Sequence, residues 1–205
     1  MHLARPDIDG SMSLEKSLLT RRTVRSFLAR SLDLKQFSQL CWAAQGVTDE
    51  KRHKRSAPSG GALYPLDLYA VVGDAGVEGL GAGIYHYEPV NHELFFRTAG
   101  DLRSRLAGAS YGQMWMAQAP VHLVLTAEYS RICSKYGERG IRYAIMEAGH
   151  AGQNIFLQAE AISLGAGIVG AFNDQEVMSI MELPAEHEPL LIMPVGYKST
   201  RKRLF

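Results

Sequence analysis

Between residues 138 and 164, Ile141, Ala144, Ile145, Ala148, Gly152, Ile155, Ala159 and Ile162 recur at steps of three or four. That spacing aligns them on one face of an α-helix, and the run is far too long for a strand. The fold is therefore expected to be organised around one long core helix at about 138–164. Leu14, Leu18 and Leu19 also have helical spacing, and a second helix is expected from Asp33, an N-cap candidate, to about Gln45, with Gly46 ending it. Leu66–Val72 reads as a strand, 83–87 and 93–97 as a hairpin-like pair around Pro89-Val90-Asn91-His92, and Val121–Ala127 as a buried strand. After Gly165 a short strand is expected at 168–172, a helix over Asp174–Met181 and a last apolar strand at 189–195. Helices and strands mix without a regular βαβ rhythm, which predicts an α+β fold rather than a doubly wound sheet.

The 205 residues, 46% hydrophobic and 21% charged, suit one globular domain over 1–205 and exclude the disordered and coiled-coil classes. A net charge of +1 is too balanced for a generic nucleic-acid binder, so any anion site must be local. Cys41 and Cys133, the only cysteines, lie 92 positions apart and match neither a disulfide scaffold nor a zinc site; reduced thiols in a cytoplasmic protein are expected. Residues 1–10 carry Arg5, Pro6, Asp7 and Asp9 and lack the apolar stretch of a secretory signal. The 22 uncharged residues of 106–127 are interrupted by Ser110, Gln113, Gln118, Pro120 and His122, so no membrane span is expected.

Several motifs suggest chemistry. The segment 48–61 is polar and basic, and it ends in Pro58-Ser59-Gly60-Gly61, a loop whose backbone can approach a ligand. Gly165-Ala166-Gly167-Ile168-Val169-Gly170 fits G-x-G-x-x-G, but it follows a helix and leads into a strand, the reverse of the dinucleotide-binding order. It reads as a helix terminus or as a backbone that closely approaches a flat ligand. Glu147-x-x-His150 and Glu50-x-x-His53 have the spacing of di-iron ligands; without matching helical partners the first is expected to be a hydrogen-bonded buried pair, and no metal is expected. Ser59 lacks the G-x-S-x-G elbow of a hydrolase. The basic runs Arg21-Arg22-Thr23-Val24-Arg25 and Lys198-Ser199-Thr200-Arg201-Lys202-Arg203 are either solvated faces or, with their hydroxyls, a cradle for one phosphate.

Taken in order, these segments resemble the FMN-dependent nitroreductase family from Arg21 to Arg203. Arg21-Arg22-Thr23-Val24-Arg25-Ser26-Phe27 is similar to its R-R-[ST]-x-[RK]-x-F segment, and Pro58-Ser59-Gly60-Gly61-Ala62-Leu63-Tyr64-Pro65 to its P-S loop. Lys135-Tyr136-Gly137-Glu138-Arg139 and Glu147-Ala148-Gly149-His150, followed by Gln153-Asn154, are similar to the azoline dehydrogenases, which oxidise thiazoline and oxazoline rings in peptides. Ala62 stands where the bacterial nitroreductases commonly place Asn.

The resemblance implies a nitroreductase-like α+β fold with a central mixed, mainly antiparallel sheet flanked by helices, and a homodimer with FMN at the subunit interface. It implies that Arg21, Arg22 and Thr23 face the ribityl chain and phosphate, with Arg25 at the pyrimidine edge. Pro58, Ser59, Gly60 and Gly61 would line the ring and phosphate side from one subunit. Gln113 and the backbone of Gly167, Gly170 and Ala171 would lie at the flavin, and Arg201 and Arg203 would return to the phosphate. Lys135 and Tyr136 would assist proton removal, or else they are a surface cation and a packing aromatic. The implied activity is ping-pong hydride transfer between NADH or NADPH and a nitroaromatic, quinone-like or other small acceptor. The alternatives are azoline oxidation on modified peptides, or a flavin-binding, redox-sensing dimer without catalysis.

Overall fold

The computed structural model describes residues 1–49, 51 and 54–199. Its framework is a six-stranded sheet of β3 (Leu66–Val72), β4 (Gly83–Glu88), β5 (Glu93–Ala99), β6 (Val121–Ala127), β7 (Gly165–Ala166) and β8 (Glu188–Gly196), in the order β5-β4-β3-β6-β8-β7. Every pairing between these strands is antiparallel, and among the described residues parallel contacts occur only as isolated bridges such as Thr23 with Ala166. β3 and β6 lie centrally, so both of their faces are covered. Leu66, Leu68, Ala70 and Val72 of β3 join Val121, Leu123, Leu125 and Ala127 of β6 in one core cluster, while Tyr69, Val71 and Val124 point into the other. The period-two alternation thus serves two apolar layers rather than one apolar and one wet face.

The helices are α1 (Leu14–Thr20), α2 (Leu34–Gln45), α3 (Arg103–Ala109), α4 (Tyr129–Tyr136), α5 (Arg139–Ala161) and α6 (Asp174–Met181). α2 begins in a reciprocal capping box, in which the Asp33 carboxylate accepts from the Gln36 N–H and the Gln36 side chain accepts from the Asp33 N–H. α5 is the long helix expected from the sequence, and it seats Ala144, Ala148, Ala151, Ile155 and Ala159 against the first core. Small residues allow the close approach; a Cβ at Gly152 would already touch Leu191 Cδ1 at 3.4 Å. Ile141 and Ile145, from the same predicted stripe, remain 40% and 54% exposed.

Three expectations change. α5 stops at Ala161 because Ser163 turns left-handed (φ 62°), the Leu164 N–H reaching back to the Ala159 carbonyl and the Ser163 N–H to that of Glu160. The strand expected at 168–172 is absent: β7 covers Gly165–Ala166, and beyond it only Val169 bridges Ile192. Opposite Gly167 stands Pro194, which accepts the Gly167 N–H at 2.7 Å but has no N–H to return, so the ladder breaks there. Within the expected loop 48–61, β1 (Val47–Asp49) and β2 (Lys54–Arg55) pair as a small antiparallel ladder. The Glu50 and His53 motif lies outside the described residues.

Ser163 occupies the position that glycine fills most cheaply, and its side chain is exposed. Ser163→Gly is expected to stabilise the chain by about 0.5–1 kcal/mol, the left-handed penalty less the added chain entropy. Urea denaturation at unchanged m-value checks this; a loss of stability would contradict the cap.

Candidate active site

Two groups of the side chains expected at a site lie near α5. At its C-terminal half, the segment after α1 runs beside β7: Thr23 bridges Ala166, and the Val24 N–H donates to the Ala166 carbonyl at 2.8 Å. Gly167 has no room for a side chain, because a Cβ there would lie 2.6 Å from the Trp115 ring and 2.8 Å from the Val24 carbonyl. Trp115 in turn lies 5.8 Å below the Arg25 guanidinium. Arg21 lies over the Phe156 ring at 5.2 Å, and Arg22 Nη1 donates to the carbonyls of Leu19 and Arg21. Among the described residues, none of these three guanidiniums has an acidic partner. Gln113 Nε2 donates to the Ala171 carbonyl at 3.3 Å. Gly170 is exposed, and a Cβ there would make ordinary contact with Leu191 Cδ2 at 3.9 Å. Lys198 is already engaged by Glu160 at 2.6 Å. Arg201 and Arg203 lie outside the described residues.

The second group surrounds the loop Pro58-Ser59-Gly60-Gly61. The loop is tightly wound, with Gly61, Ala62 and Tyr64 all left-handed at φ 64°, 56° and 48°. Asn enters that region more cheaply than Ala, so Ala62 carries a steric cost there. Ser59 Oγ fastens the turn by accepting the Tyr64 N–H at 2.9 Å. The structure brings the Lys-Tyr pair here: a Cβ at Gly61 would meet Tyr136 Oη at 2.8 Å and Lys135 Nζ at 3.2 Å. Tyr136 packs edge-on against Tyr143, with ring centroids 5.2 Å apart.

Arg131, one turn before Lys135, anchors α4. Its guanidinium pairs with Asp67 at 2.8 Å and with Glu128 at 2.7 Å. Burial of Asp67 opposes its ionisation, but the hydrogen bond to His86 and the charge of Arg131 together hold its pKa below the usual carboxylate value. Atoms of Asp67, Glu128 and His187 lie within 4.8 Å of one another, and Arg131 already bridges the two carboxylates as their resident cation.

Under the loop sits Glu147. It is 1% exposed, and neither carboxyl oxygen has a partner at hydrogen-bonding geometry, although the Ser59 hydroxyl and Arg55 lie close enough to favour the ionised form. Burial outweighs both, and the carboxyl is pushed up to about 7. It lines a cavity of about 260 Å³ with Pro58, Ser59, Gly60, Tyr143, Met146 and His150. Glu147 and Phe156 are nine residues apart on α5, about 14 Å along its axis. The loop and the arginine segment therefore contact separate stretches of the same helix.

The sequence matches the Nitroreductase family over residues 18–197. The chain belongs to the nitroreductase family. It is 41% identical to protein MJ1384 of Methanocaldococcus jannaschii over 198 residues, covering 97% of each chain. It is 30% identical to the microcin B17-processing protein McbC of Escherichia coli over 169 residues, spanning 80% of this chain and 62% of McbC. A solved nitroreductase-fold structure from Ralstonia eutropha JMP134 superposes with a TM-score of 0.85 at 31% identity, covering 97% of this chain and 89% of that one. The family is one of oxidoreductases, and no described helix is long and apolar enough to cross a membrane.

Arg21 reaches α5 at Phe156, Thr23 and Val24 run beside Ala166, Gln113 bonds to Ala171, and Gly61 of the Pro58–Gly61 loop faces Lys135 and Tyr136. The hydrogen-bonded Glu147–His150 pair is not formed: Glu147 is buried with neither carboxyl oxygen partnered, and His150, though it lines the same cavity, is exposed. Trp115 and Arg131 were not legible as site residues, whereas Glu147 had a signal, an acid three residues after Ala144 and four before Ala151 on the buried stripe. A raised carboxyl pKa means that folding takes up a proton at Glu147. Its contribution to stability is full below about pH 4.5 and is lost as pH rises through about 7. Glu147→Gln is expected to remove that loss, making the variant more stable than the parent at pH 8; an unchanged difference between pH 5 and pH 8 in denaturant titrations would contradict the assignment.

Proposed function

We propose that this chain is an FMN-dependent oxidoreductase that transfers a hydride between NADH or NADPH and a nitroaromatic, quinone-like or other small acceptor. It would act as a homodimer of single-domain chains in the cytoplasm. The observation that carries this reading is the split site. One chain offers an anion-binding half, with three guanidiniums free of acidic partners among the described residues, and a separate loop half about 14 Å away along α5. Leu14, Leu18 and Leu19 of α1 are 61%, 51% and 68% exposed, and Ile145 and Met146 of α5 are 54% and 52% exposed. Exposed apolar faces beside two incomplete halves fit a second copy that joins them.

The residues present fit FMN. Arg21, Arg22 and Thr23 supply charged and hydroxyl donors for a phosphate dianion, Arg25 a fixed cation for the pyrimidine edge, and Arg201 and Arg203 further charge from the tail. The exposed backbone at Gly170 lets a flat ring approach, where the amides of Gly167, Gly170 and Ala171 and the Gln113 side chain would serve its polar edge. Pro58, Ser59, Gly60 and Gly61 would close the ring from the partner chain. Bound FMN supplies reversible hydride acceptance, which no side chain provides.

Lys135 and Tyr136 favour a second reading, azoline oxidation on modified peptides, in line with the similarity to McbC. Tyr136 Oη and Lys135 Nζ both reach Gly61 of the loop, so they can hold and move a proton at the edge of the same pocket. In either reading the pair acts on protons and not on cofactor retention.

The purified protein is expected to carry about one FMN per chain, identified by absorption and by the mass of the released cofactor. Arg21→Ala with Arg25→Ala should weaken FMN binding more than tenfold, from the loss of two charge-assisted contacts. Lys135→Ala and Tyr136→Phe should keep FMN and lose turnover; loss of FMN instead would make the pair structural. Ile145→Asp should give a monomer without FMN, and a monomer that retains stoichiometric FMN would overturn the shared site.

A further inference from the structure

α4 has eight residues, a length at which a helix is marginal on its own, so its place beside the loop is set by what its two ends touch. At the C-terminal end, Gly140 of α5 seats against the Cys133 backbone, where a Cβ would come within 2.9 Å of the Cys133 nitrogen. At the N-terminal end the contacts converge on one guanidinium. Arg131 Nη2 pairs with Glu128 at 2.7 Å, while Nη1 pairs with Asp67 at 2.8 Å and reaches the Tyr64 carbonyl at 3.5 Å. The Glu128 N–H donates to the Pro65 carbonyl at 2.9 Å. Asp67 is steadied from the sheet, because its other oxygen lies 3.0 Å from His86 Nε2 on β4. His187, bonded through Nδ1 to Tyr69 Oη at 2.9 Å, closes the cluster with Nε2 3.7 Å from Asp67 and 3.8 Å from Glu128.

Three elements therefore share Arg131: the start of β3 through Asp67, α4 itself, and the exit of the loop through Tyr64. Tyr64 closes the loop, left-handed at φ 48° with its N–H held by Ser59. Taking its carbonyl from α4 ties loop and helix to the same group. Lys135 lies four residues after Arg131, on the same face of the helix. There Tyr136 Oη and Lys135 Nζ come to the loop, 2.8 Å and 3.2 Å from where a Cβ of Gly61 would stand.

We propose that Arg131, held by Asp67 and Glu128, is a positioning residue that sets the distance between the Lys135–Tyr136 pair and the Pro58-Ser59-Gly60-Gly61 loop. The proposal rests on the proton-handling role of the pair given above. The Asp67 cluster thereby serves the site through Arg131 rather than by meeting the substrate. Arginine suits the task for a geometric reason. Its fork serves two carboxylates and a carbonyl from two nitrogens at once, whereas an ammonium is a single point that must give up part of that set. The partners of Asp67 hold its pKa below the usual carboxylate value despite its burial, so the clamp keeps its charge through the neutral range.

The test uses the full-length protein and two readouts. The first is fluorine NMR of fluorotyrosine placed at position 136, with the same label at the exposed Tyr111, on the loop after α3, as a control. Arg131→Lys, which keeps the charge and loses the fork, should move the resonance at 136 and leave that at 111 in place. Asp67→Asn, made from the other side of the ion pair, should displace the same resonance. A resonance at 136 unmoved by both substitutions overturns the proposal, and so does one that moves no further than the resonance at 111. The second readout is turnover per bound FMN, with NADH or NADPH and menadione, and with a thiazoline-containing peptide and dioxygen. Arg131→Lys should lower kcat about ten- to hundredfold at unchanged KM and FMN content, the loss that a displacement of roughly 1 Å produces. In a protein already carrying Lys135→Ala and Tyr136→Phe, Arg131→Lys should cost nothing more, because it acts only through that pair. An equal loss in both backgrounds overturns the proposal. If Lys135→Ala with Tyr136→Phe turns over as wild type does, the proton-handling reading fails instead, and the fluorine resonance alone decides whether Arg131 positions the pair.

Discussion

The contact on which the rest of the structure depends is the packing of α5 across the centre of the sheet. Ala144, Ala148, Ala151, Ile155 and Ala159 share one core with alternate residues of β3 and β6. Because most of that stripe is small, the helix lies close enough for its flanks to touch loops at both ends. Arg21 reaches Phe156 near one end, and the Pro58-Ser59 loop rests over Tyr143 and Glu147 near the other. A bulkier stripe would lift α5 from the sheet and move both groups together, since close-packed interiors transmit such shifts.

That geometry sets the two groups against different stretches of one helix. Arg21 meets α5 at Phe156 and the Pro58–Gly60 loop meets it at Tyr143 and Glu147, about 14 Å apart along its axis between Phe156 and Glu147. The same helix leaves Ile145 and Met146 in water, where isolated burial would have been favourable by roughly 1.5–3 kcal/mol for each side chain.

Much of this was legible in the sequence. The strands Leu66–Val72 and Val121–Ala127 and the helix Asp174–Met181 follow from periodicity and length, and their bounds agree with the structure. The strand expected at 168–172 failed because apolar content cannot reveal that Pro194 lies opposite and breaks the ladder. The resemblance in the first arginine run and the P-S loop identified the family, yet local sequence could not say that the two contact different stretches of α5. Trp115 was invisible because its role is to fill the space beside Gly167 and carry Arg25, a contact between segments distant in sequence. The expected bond between Glu147 and His150 fails because an i, i+3 spacing puts two side chains on one helix face without fixing that they bond each other.

The central claim is that each flavin site combines the arginine segment of one chain with the loop of another. It is tested most directly by complementation between two differently tagged chains expressed together, one carrying Arg21→Ala and Arg25→Ala, the other Gly61→Leu. Neither homodimer should retain FMN. The heterodimer, isolated through both tags, should hold about one FMN, because one of its two sites is assembled from the undamaged halves. A heterodimer as empty as its parents would contradict the account, since it would place both halves of each site on the same chain.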